Sequence, residues 1–167
     1  MSRKILFAAL LGCSTIFSTA YASSSPFDKG HSSVAFTLGS GSAFNDNYII
    51  LGLGYNYYLV NGLNLGIQFN LWLDGDPSVY QVAPEVNYVF YQVPKVKPYI
   101  GAFYRRNYIE GYDDLDSVGY RGGIYIVSGG GSYFGIGGVY SEYQDCNETV
   151  YSDCSTTYTE VTFMLSF

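Results

Sequence analysis

The sequence predicts an all-β protein, an eight-stranded antiparallel up-and-down transmembrane β-barrel that occupies residues 34–167. Eight segments alternate apolar residues with small or polar ones, a period of two that is typical of strands whose two faces meet different surroundings. Short turns and longer acidic loops alternate between these segments. The 19 Tyr, 11 Phe and 20 Gly residues, with only 13% charged residues, suit a lipid-facing barrel with aromatic girdles.

Residues 1–22 have the three parts of a secretory signal peptide: a basic start, an apolar run, and Ala-Tyr-Ala at positions 20–22 as a small-x-small cleavage site. The mature chain is therefore predicted to begin at Ser23, with a short periplasmic lead-in over residues 23–33. A second interpretation is a lipoprotein cleavage box ending at Cys13. The apolar run before it is short, so this interpretation is less favoured.

Removal of the signal takes away Arg3 and Lys4 and leaves six basic residues against fourteen acidic ones. A surface that binds phosphates needs a basic patch, so nucleic acid is excluded as a partner. No apolar run of about eighteen residues follows the signal, and no membrane-spanning helix is predicted. The remaining length suits one domain.

The first three strands are predicted at residues 34–41, 48–60 and 63–73. Asn61-Gly62 joins the second to the third, and Asn-Gly between alternating runs is a strong signal for a two-residue hairpin. One face of each strand is apolar, and the other is rich in Gly, Asn and Tyr. The apolar face holds Val34, Phe36, Leu38, Ile49, Leu51, Leu53, Tyr55, Tyr57, Leu59, Leu63, Leu65, Ile67, Phe69, Leu71 and Leu73.

The next three strands are predicted at residues 79–92, 99–109 and 118–127, with a tight turn over residues 94–98. Pro84 has no backbone N–H, so it is predicted to remove one ladder hydrogen bond and to mark a bulge. The pattern is noisier here, but one face again collects apolar residues. That face holds Tyr80, Val82, Val86, Tyr88, Phe90, Ile100, Ala102, Tyr104, Val118, Tyr120, Ile124 and Ile126.

The last two strands are predicted at residues 132–143 and 156–167. Glycines interrupt the first of them, and a register shift is expected at Gly137-Gly138. The final strand alternates without a break. Its apolar face holds Thr159, Val161, Phe163, Leu165 and Phe167.

The turns after the second, fourth and sixth strands are short, whereas the connections after the third, fifth and seventh are longer and acidic. Short periplasmic turns and long outer loops are the pattern of bacterial outer-membrane barrels. Because the strand number is even, both chain ends are predicted in the periplasm, on the side of Lys95 and Lys97. The predicted location is the outer membrane of a Gram-negative bacterium.

A soluble eight-stranded barrel that binds a ligand, as lipocalins do, is the alternative fold. Such a barrel has its apolar residues inside and needs Lys and Glu outside. Here the face opposite the apolar set is rich in Gly, Asn, Gln, Tyr and Thr and poor in charge. That composition suits a crowded interior, and tilted strands of about ten to thirteen residues cover an apolar band about 25 Å tall.

The signal peptide, the eight alternating strands, the alternating connections and the terminal Phe167 resemble the small OmpA-like and OmpX-like outer-membrane β-barrels. The resemblance implies that Phe163, Leu165 and Phe167 belong to the signal read by the barrel-insertion machinery. It also implies a monomer surrounded by outer-membrane lipid and lipopolysaccharide. No motif selects one subfamily.

Four charged residues fall on the inward faces: Glu85, Arg105, Arg121 and Glu160. The lumen of eight strands is just wide enough for side chains, and buried charges need partners. We therefore predict an interior ion-pair network surrounded by Tyr58, Tyr91, Tyr125 and Tyr158. A plug that keeps the barrel rigid is the favoured role, and a gated path for protons or ions is the alternative.

Cys146 and Cys154 lie in the last outer loop and are the only cysteines left after signal removal. The bacterial envelope is oxidising, so a disulfide is predicted. Its stabilisation by loop entropy is at most about 3 kcal/mol. Metal binding is the alternative, but no second Cys pair and no nearby His is available to complete a site.

Acidic residues are concentrated in the outer loops, where solvated side chains are the default expectation. As an alternative, they bridge lipopolysaccharide phosphates through divalent cations or bind calcium directly, although no calcium-loop spacing is present. These residues are Asp74, Asp76, Glu110, Asp113, Asp114, Asp116, Asp145, Glu148 and Asp153.

His31 is the only histidine. Lipid A acyltransferases and deacylases of this size use His with Ser or Asp, but the predicted topology places His31 at the periplasmic rim. No second base is available to activate a serine nucleophile. The prediction is therefore a non-catalytic barrel, without cofactor or metal, that serves envelope structure or contacts a surface ligand or protein through its outer loops. A narrow pore for small solutes or ions is the alternative, and a lipid A-modifying enzyme is least favoured.

Overall fold

The computed structural model describes residues 25–43, 46–144, 146 and 154–167. In these residues eight antiparallel strands close into a barrel in chain order, with the first strand paired to the last. The predicted fold class, strand number and up-and-down order are confirmed. The strands are β1 (Ser32–Ala43), β2 (Asp46–Val60), β3 (Leu63–Leu73), β4 (Val79–Val89), β5 (Val96–Ile109), β6 (Leu115–Gly129), β7 (Ser132–Tyr143) and β8 (Ser155–Ser166).

The predicted signal peptide over residues 1–22, together with Cys13, lies outside the described part of the chain. The acidic residues Asp145, Glu148 and Asp153 of the last loop lie outside it as well. Within the described residues, no helix is long and apolar enough to cross a membrane.

Each strand turns one face to the lumen and one outward, because successive side chains of a strand point to opposite sides. In β8, exposed and buried residues alternate without a break from Ser155 to Ser166. Outward apolar side chains such as Leu38 and Ile100 are 58% exposed, whereas the inward Asn70 is 1% exposed. A closed barrel also pairs its backbone groups internally, as lipid requires. The chain is therefore a transmembrane barrel with its apolar faces outward.

The two ends of the barrel differ in their connections. The turn end carries both ends of the described chain and the connections 61–62, 90–95 and 130–131. The loop end carries the connections 44–45, 74–78, 110–114 and 144–154. The predicted alternation is present only in part, because the β4–β5 connection at the turn end spans six residues and those at 74–78 and 110–114 span five each, while the longest connection, between β7 and β8, lies at the loop end as predicted.

The hairpin of β5 and β6 extends further into the predicted acidic loop than expected, because β6 begins at Leu115. Asn107 holds this start from inside: its Nδ2 donates to the Leu115 carbonyl at 2.8 Å and to Ser117 Oγ at 3.1 Å. On the outside, Arg106 pairs with Asp116 at 3.1 Å. Asp116 is thus a strand residue.

The bulge predicted at Pro84 is wrong. The register of β4 against β5 is the same on both sides of this residue, with Glu85 opposite Phe103. Only Ala83 and Pro84 lack a ladder partner on β5, while Pro84 keeps its position against β3. The missing N–H of proline interrupts the ladder, but no residue is inserted.

The register shift expected at Gly137 and Gly138 is also absent, since β6 and β7 stay in register through both positions. The inward Gly137 instead lies against the Tyr99 hydroxyl, where a Cβ would collide with it. Gly135 makes room for Tyr125 in the same way, because a Cβ there would lie 2.6 Å from the ring. These glycines provide space for large side chains of the lumen.

The segment before β1 crosses the turn end of the barrel. Phe27 is fully buried there, and its ring centroid lies 4.9 Å from that of Tyr133 and 6.0 Å from that of Tyr58. The Gly62 N–H donates to the Phe27 carbonyl at 2.8 Å, which holds the segment against the β2–β3 turn. The predicted lead-in over residues 23–33 thus includes a side chain that closes one mouth of the lumen.

Candidate functional site in the barrel lumen

Inward side chains fill the described lumen in three layers. The charged layer, in the middle, contains Glu85, Arg121 and Glu160. The turn-end cluster contains Phe27, Ala35, Tyr58, Val89, Tyr99, Tyr125, Tyr133 and Met164. The loop-end cluster contains Tyr48, Ile50, Trp72, Val79, Phe103, Ile109, Leu115, Val139 and Tyr158.

Arg121 on β6 is the centre of the charged layer. Its Nη1 lies 3.2 Å from Glu85 Oε2 on β4 and 3.6 Å from Glu160 Oε1 on β8. Its Nη2 donates a hydrogen bond to Gln68 Oε1 on β3. One guanidinium therefore joins four strands across the lumen, which is possible because eight strands enclose a space only as wide as side chains.

The two carboxylates of the charged layer have further donors. Asn87 Nδ2 donates to Glu85 Oε1 at 3.0 Å, and the Tyr99 hydroxyl donates to Glu160 Oε1 at 3.5 Å. Glu85 is 8% exposed and Glu160 is 2% exposed, so water contributes little to their solvation. Buried ions are stable only where close pairing and added hydrogen bonds offset their desolvation, and here each carboxylate has the pairing with Arg121 and one oxygen that accepts an added hydrogen bond.

Arg105 does not join this group, although one network of four charges was predicted. Its side chain is fully buried, but none of the ion pairs among the described residues includes it. Its Nη2 donates to the Tyr158 hydroxyl at 3.1 Å, and its Cζ lies 4.3 Å from the centroid of the Phe103 ring. The same ring lies 5.5 Å from the Cζ of Arg121, so Phe103 contacts both arginines.

The four tyrosines predicted around the network lie in different places. Tyr58 and Tyr125 belong to the turn-end cluster, Tyr158 belongs to the loop-end cluster, and Tyr91 is half-buried at the turn-end rim. Tyr99, which was not singled out from the sequence, is the tyrosine that contacts Glu160 and stacks on Tyr125 at 4.2 Å. The sequence did contain a signal for Tyr99, because the period-two pattern of the fifth strand places this residue on the inward face.

Cys146 and Cys154 form the predicted disulfide, with a Cα–Cα distance of 5.6 Å. The bond lies at the loop end, where the Tyr143 N–H donates to the Cys154 carbonyl at 2.9 Å. It therefore ties the end of β7 to the start of β8. The loop residues between the two cysteines lie outside the described part of the chain.

The acidic side chains of the loop end do not converge on one point in the described residues. Asp114 and Asp116 pair with Arg106 at 3.3 Å and 3.1 Å on the outer surface. In the described ranges, no group of three His, Cys, Asp or Glu side chains is placed to hold a metal ion. The bridge to lipopolysaccharide phosphates stays a prediction.

His31 lies at the turn end, where its carbonyl accepts a hydrogen bond from the Tyr58 N–H at 2.9 Å. The predicted insertion-signal residues Phe163, Leu165 and Phe167 all face outward and are 43–58% exposed. Phe167 also exchanges backbone hydrogen bonds with Ser32, at 2.9 Å and 3.0 Å. Recognition of these side chains by the insertion machinery stays a prediction.

No protein-family model and no curated protein matches this chain. Among solved structures, Neisserial surface protein A has a TM-score of 0.63 and 14% identity, over 82% of this chain and 96% of that one. The N-terminal β-barrel domain of Pseudomonas aeruginosa OprF has a TM-score of 0.64 and 10% identity, over 83% and 98%. The outer membrane enzyme PagL has a TM-score of 0.51 and 14% identity, over 80% and 98%. The shared property is the fold, that of the small eight-stranded outer-membrane β-barrels.

Proposed function

We propose that this chain, which has the fold of the small eight-stranded outer-membrane β-barrels, works in the outer membrane as a closed, non-catalytic barrel. In this proposal its loop end serves envelope structure or binds a surface ligand or protein. The observation that carries the proposal is the filled lumen. Phe27 closes the turn end, the Arg121 group spans the middle, and Trp72 and Tyr48 pack together, 5.3 Å between ring centroids, at the loop end.

The side chains that fill the lumen also argue against the alternative function, a narrow pore. Conduction needs a continuous polar path along which ions move from one binding site to the next. In the described lumen the charged layer lies between two clusters of apolar and aromatic side chains, and the polar side chains beside the loop-end cluster, Asn70, Gln81 and Asn107, are at most 2% exposed and hydrogen-bonded to one another. The charges of that layer are held by each other rather than by water, since Arg121, Glu85 and Glu160 are all at most 8% exposed.

We further propose that the turn end faces the periplasm and the loop end faces the outside. The support is the distribution of connections, because bacterial barrels have short periplasmic turns and longer outer loops. Lys97 lies at the turn-end start of β5, and its Nζ donates to the carbonyls of Tyr91 and Val93 in the β4–β5 connection. The disulfide and the acidic connections lie at the opposite end.

The proposal that the barrel is not an enzyme has its own support. PagL shows that this fold accommodates an enzyme, so the fold alone does not exclude catalysis. The single histidine of this chain, His31, lies at the turn end. A serine nucleophile is commonly activated by an adjacent histidine, and the proposed orientation leaves no histidine at the outer leaflet. Mass spectrometry of lipid A from cells with and without the gene is expected to show the same acyl pattern, and a changed pattern would overturn this part.

Recordings in planar bilayers test the closed lumen. Because clusters of apolar and aromatic side chains close the lumen on both sides of the charged layer, the refolded mature chain is expected to give no steady unitary current. Phe27→Ala is the informative companion variant, since it removes one ring from the turn end and leaves the charged layer in place. It is expected to be silent as well. A steady current from the unaltered chain would identify a narrow pore and overturn the proposal.

A further inference from the structure

Arg105 is a buried cation without a counter-ion among the described residues. The other inward charges, Glu85, Arg121 and Glu160, contact one another. Arg105 is 0% exposed, and its Nε and Nη1 have no hydrogen-bond partner among the residues that the structure describes. A guanidinium carries five N–H donors and no acceptor, so most of its donors are unused here. A charge removed from water without replacement of its hydrogen bonds is strongly disfavoured.

A second unused donor lies in the same cluster. Trp72 Nε1 is buried and has no hydrogen-bond partner in the described part of the chain, and an indole nitrogen can only donate. The Trp72 ring packs edge-on against Tyr158 with 5.7 Å between centroids. Arg105 donates to the hydroxyl of this same tyrosine at 3.1 Å. Tyr158 therefore joins a buried guanidinium and a buried indole that both lack an acceptor.

The carboxylates of the charged layer do not provide the acceptor that Arg105 and Trp72 lack. Both lie against Arg121, at 3.2 Å for Glu85 and 3.6 Å for Glu160. The Phe103 ring contacts Arg121 on one side and Arg105 on the other, at 5.5 Å and 4.3 Å. Neither carboxylate is paired with Arg105, so neither provides an acceptor there.

We propose that Arg105 and Trp72 bind a small monovalent inorganic anion of the halide class in the loop-end part of the lumen. A halide accepts hydrogen bonds from several donors without a fixed direction, which suits a guanidinium and an indole N–H together. Hydrogen bonds between a charged donor and an anion are also the strong ones in proteins. The site is separate from the proposed function, because it does not depend on whether the barrel conducts or what its loops bind.

Trp72 is the only tryptophan of the chain, so its fluorescence reports on this site. Iodide quenches indole on contact, and a side chain that is 2% exposed is protected from collisions with iodide in solution. The mature chain is refolded into lipid vesicles at a series of iodide concentrations and constant ionic strength, so that the ion has access during folding. We expect saturable quenching that chloride reverses by competition.

Two variants locate the effect. Arg105→Met removes the guanidinium but keeps an unbranched apolar side chain, and it is expected to raise the apparent iodide dissociation constant about tenfold or more. Arg106→Gln is the matched control, because Arg106 is the next residue of the same strand but lies outside, paired with Asp114 and Asp116. It changes the net charge equally and is expected to leave the iodide titration unchanged.

Linear, non-saturating quenching of the unaltered chain would overturn the proposal, and so would saturable quenching that survives in Arg105→Met. If that variant does not fold, as judged by circular dichroism, the unaltered chain alone decides. A ligand that binds only the folded state stabilises it in proportion to the logarithm of its concentration above the dissociation constant. The urea midpoint is therefore expected to rise with chloride at constant ionic strength, and a midpoint indifferent to chloride would contradict an anion site.

Discussion

Arg121 and Arg105 are both inward, buried arginines on neighbouring strands, but their surroundings differ. Arg121 lies between two carboxylates, 3.2 Å and 3.6 Å away, and donates to the amide oxygen of Gln68. Arg105 has one hydroxyl at 3.1 Å and one ring face at 4.3 Å. The first is held by charges of the protein, and the second is held by neutral groups alone.

The register of the strands explains this difference. Arg121 lies opposite Gly101 on β5, where the missing side chain leaves room for Asn87, the residue that donates to Glu85. Arg105 lies opposite Ser117 on β6 and has no ladder partner on β4, where the interruption between Val82 and Glu85 contains only the uncharged Ala83 and Pro84. The alternation along a strand therefore determines whether a charged side chain points into the lumen. The position of that residue along the barrel axis determines which side chains it contacts there.

The largest effect is expected from Arg121→Met. Removing this guanidinium leaves Glu85 and Glu160 buried without their common partner, and breaking a buried pair in this way costs about 3–5 kcal/mol. Urea unfolding in lipid vesicles, followed through Trp72, measures the change. A loss below about 1 kcal/mol would mean that water or another cation replaces the guanidinium.

Glu160→Gln is expected to have an intermediate effect. It removes one of the two charges at Arg121 and weakens the hydrogen bond from Tyr99, while Glu85 remains as a counter-ion. The loss of a hydrogen bond to a charged group corresponds to about 1.5–3 kcal/mol in the same unfolding experiment. A loss as large as that of Arg121→Met would show that Glu160 alone holds the arginine.

Arg106→Gln provides the exposed reference for the two buried arginines. Arg106 pairs with Asp114 and Asp116 on the outer surface, and its side chain is 45% exposed. Surface ion pairs contribute about 0.2–1 kcal/mol, so a small loss of unfolding free energy is expected. A loss above about 2 kcal/mol would show that this pair behaves as a buried one.

The smallest effect is expected from Arg105→Met in halide-free buffer. Loss of the bond to Tyr158 and of the contact with Phe103 is offset by removal of a buried charge that has no counter-ion, so the free energy of unfolding stays within about 1 kcal/mol of the unaltered chain. If Arg105→Met were as destabilising as Arg121→Met, the two arginines would have equivalent surroundings.

Much of the fold could be predicted because a lipid-facing strand repeats one physical requirement at every second residue. Residues 63–73 alternate so regularly that the bounds of β3 match the structure, and Asn61-Gly62 marks the turn before it. The inward faces of β4, β6 and β8 follow from the same rule. Glu85, Arg121 and Glu160 were accordingly predicted inside, and the structure brings these three together.

Other features depend on contacts between distant strands and have no local pattern. Phe27 is a single aromatic residue in a polar segment, and only the closed barrel creates the space among Tyr58, Tyr125 and Tyr133 that it fills. The separation of Arg105 from the carboxylates depends on where the Phe103 ring lies. Neither position can be read from period-two alternation.

The central claim is that apolar faces contact lipid and polar faces fill the lumen, and two nearby residues of β3 test it most directly. Trp72 is inward and 2% exposed, whereas Phe69 is outward and 48% exposed. The measurement compares quenching by lipids with brominated acyl chains in the unaltered chain and in a Phe69→Trp, Trp72→Phe variant. We expect strong quenching of the variant, whose tryptophan faces lipid, and little quenching of the native Trp72. Quenching of Trp72 without quenching of the variant would mean that the faces are reversed.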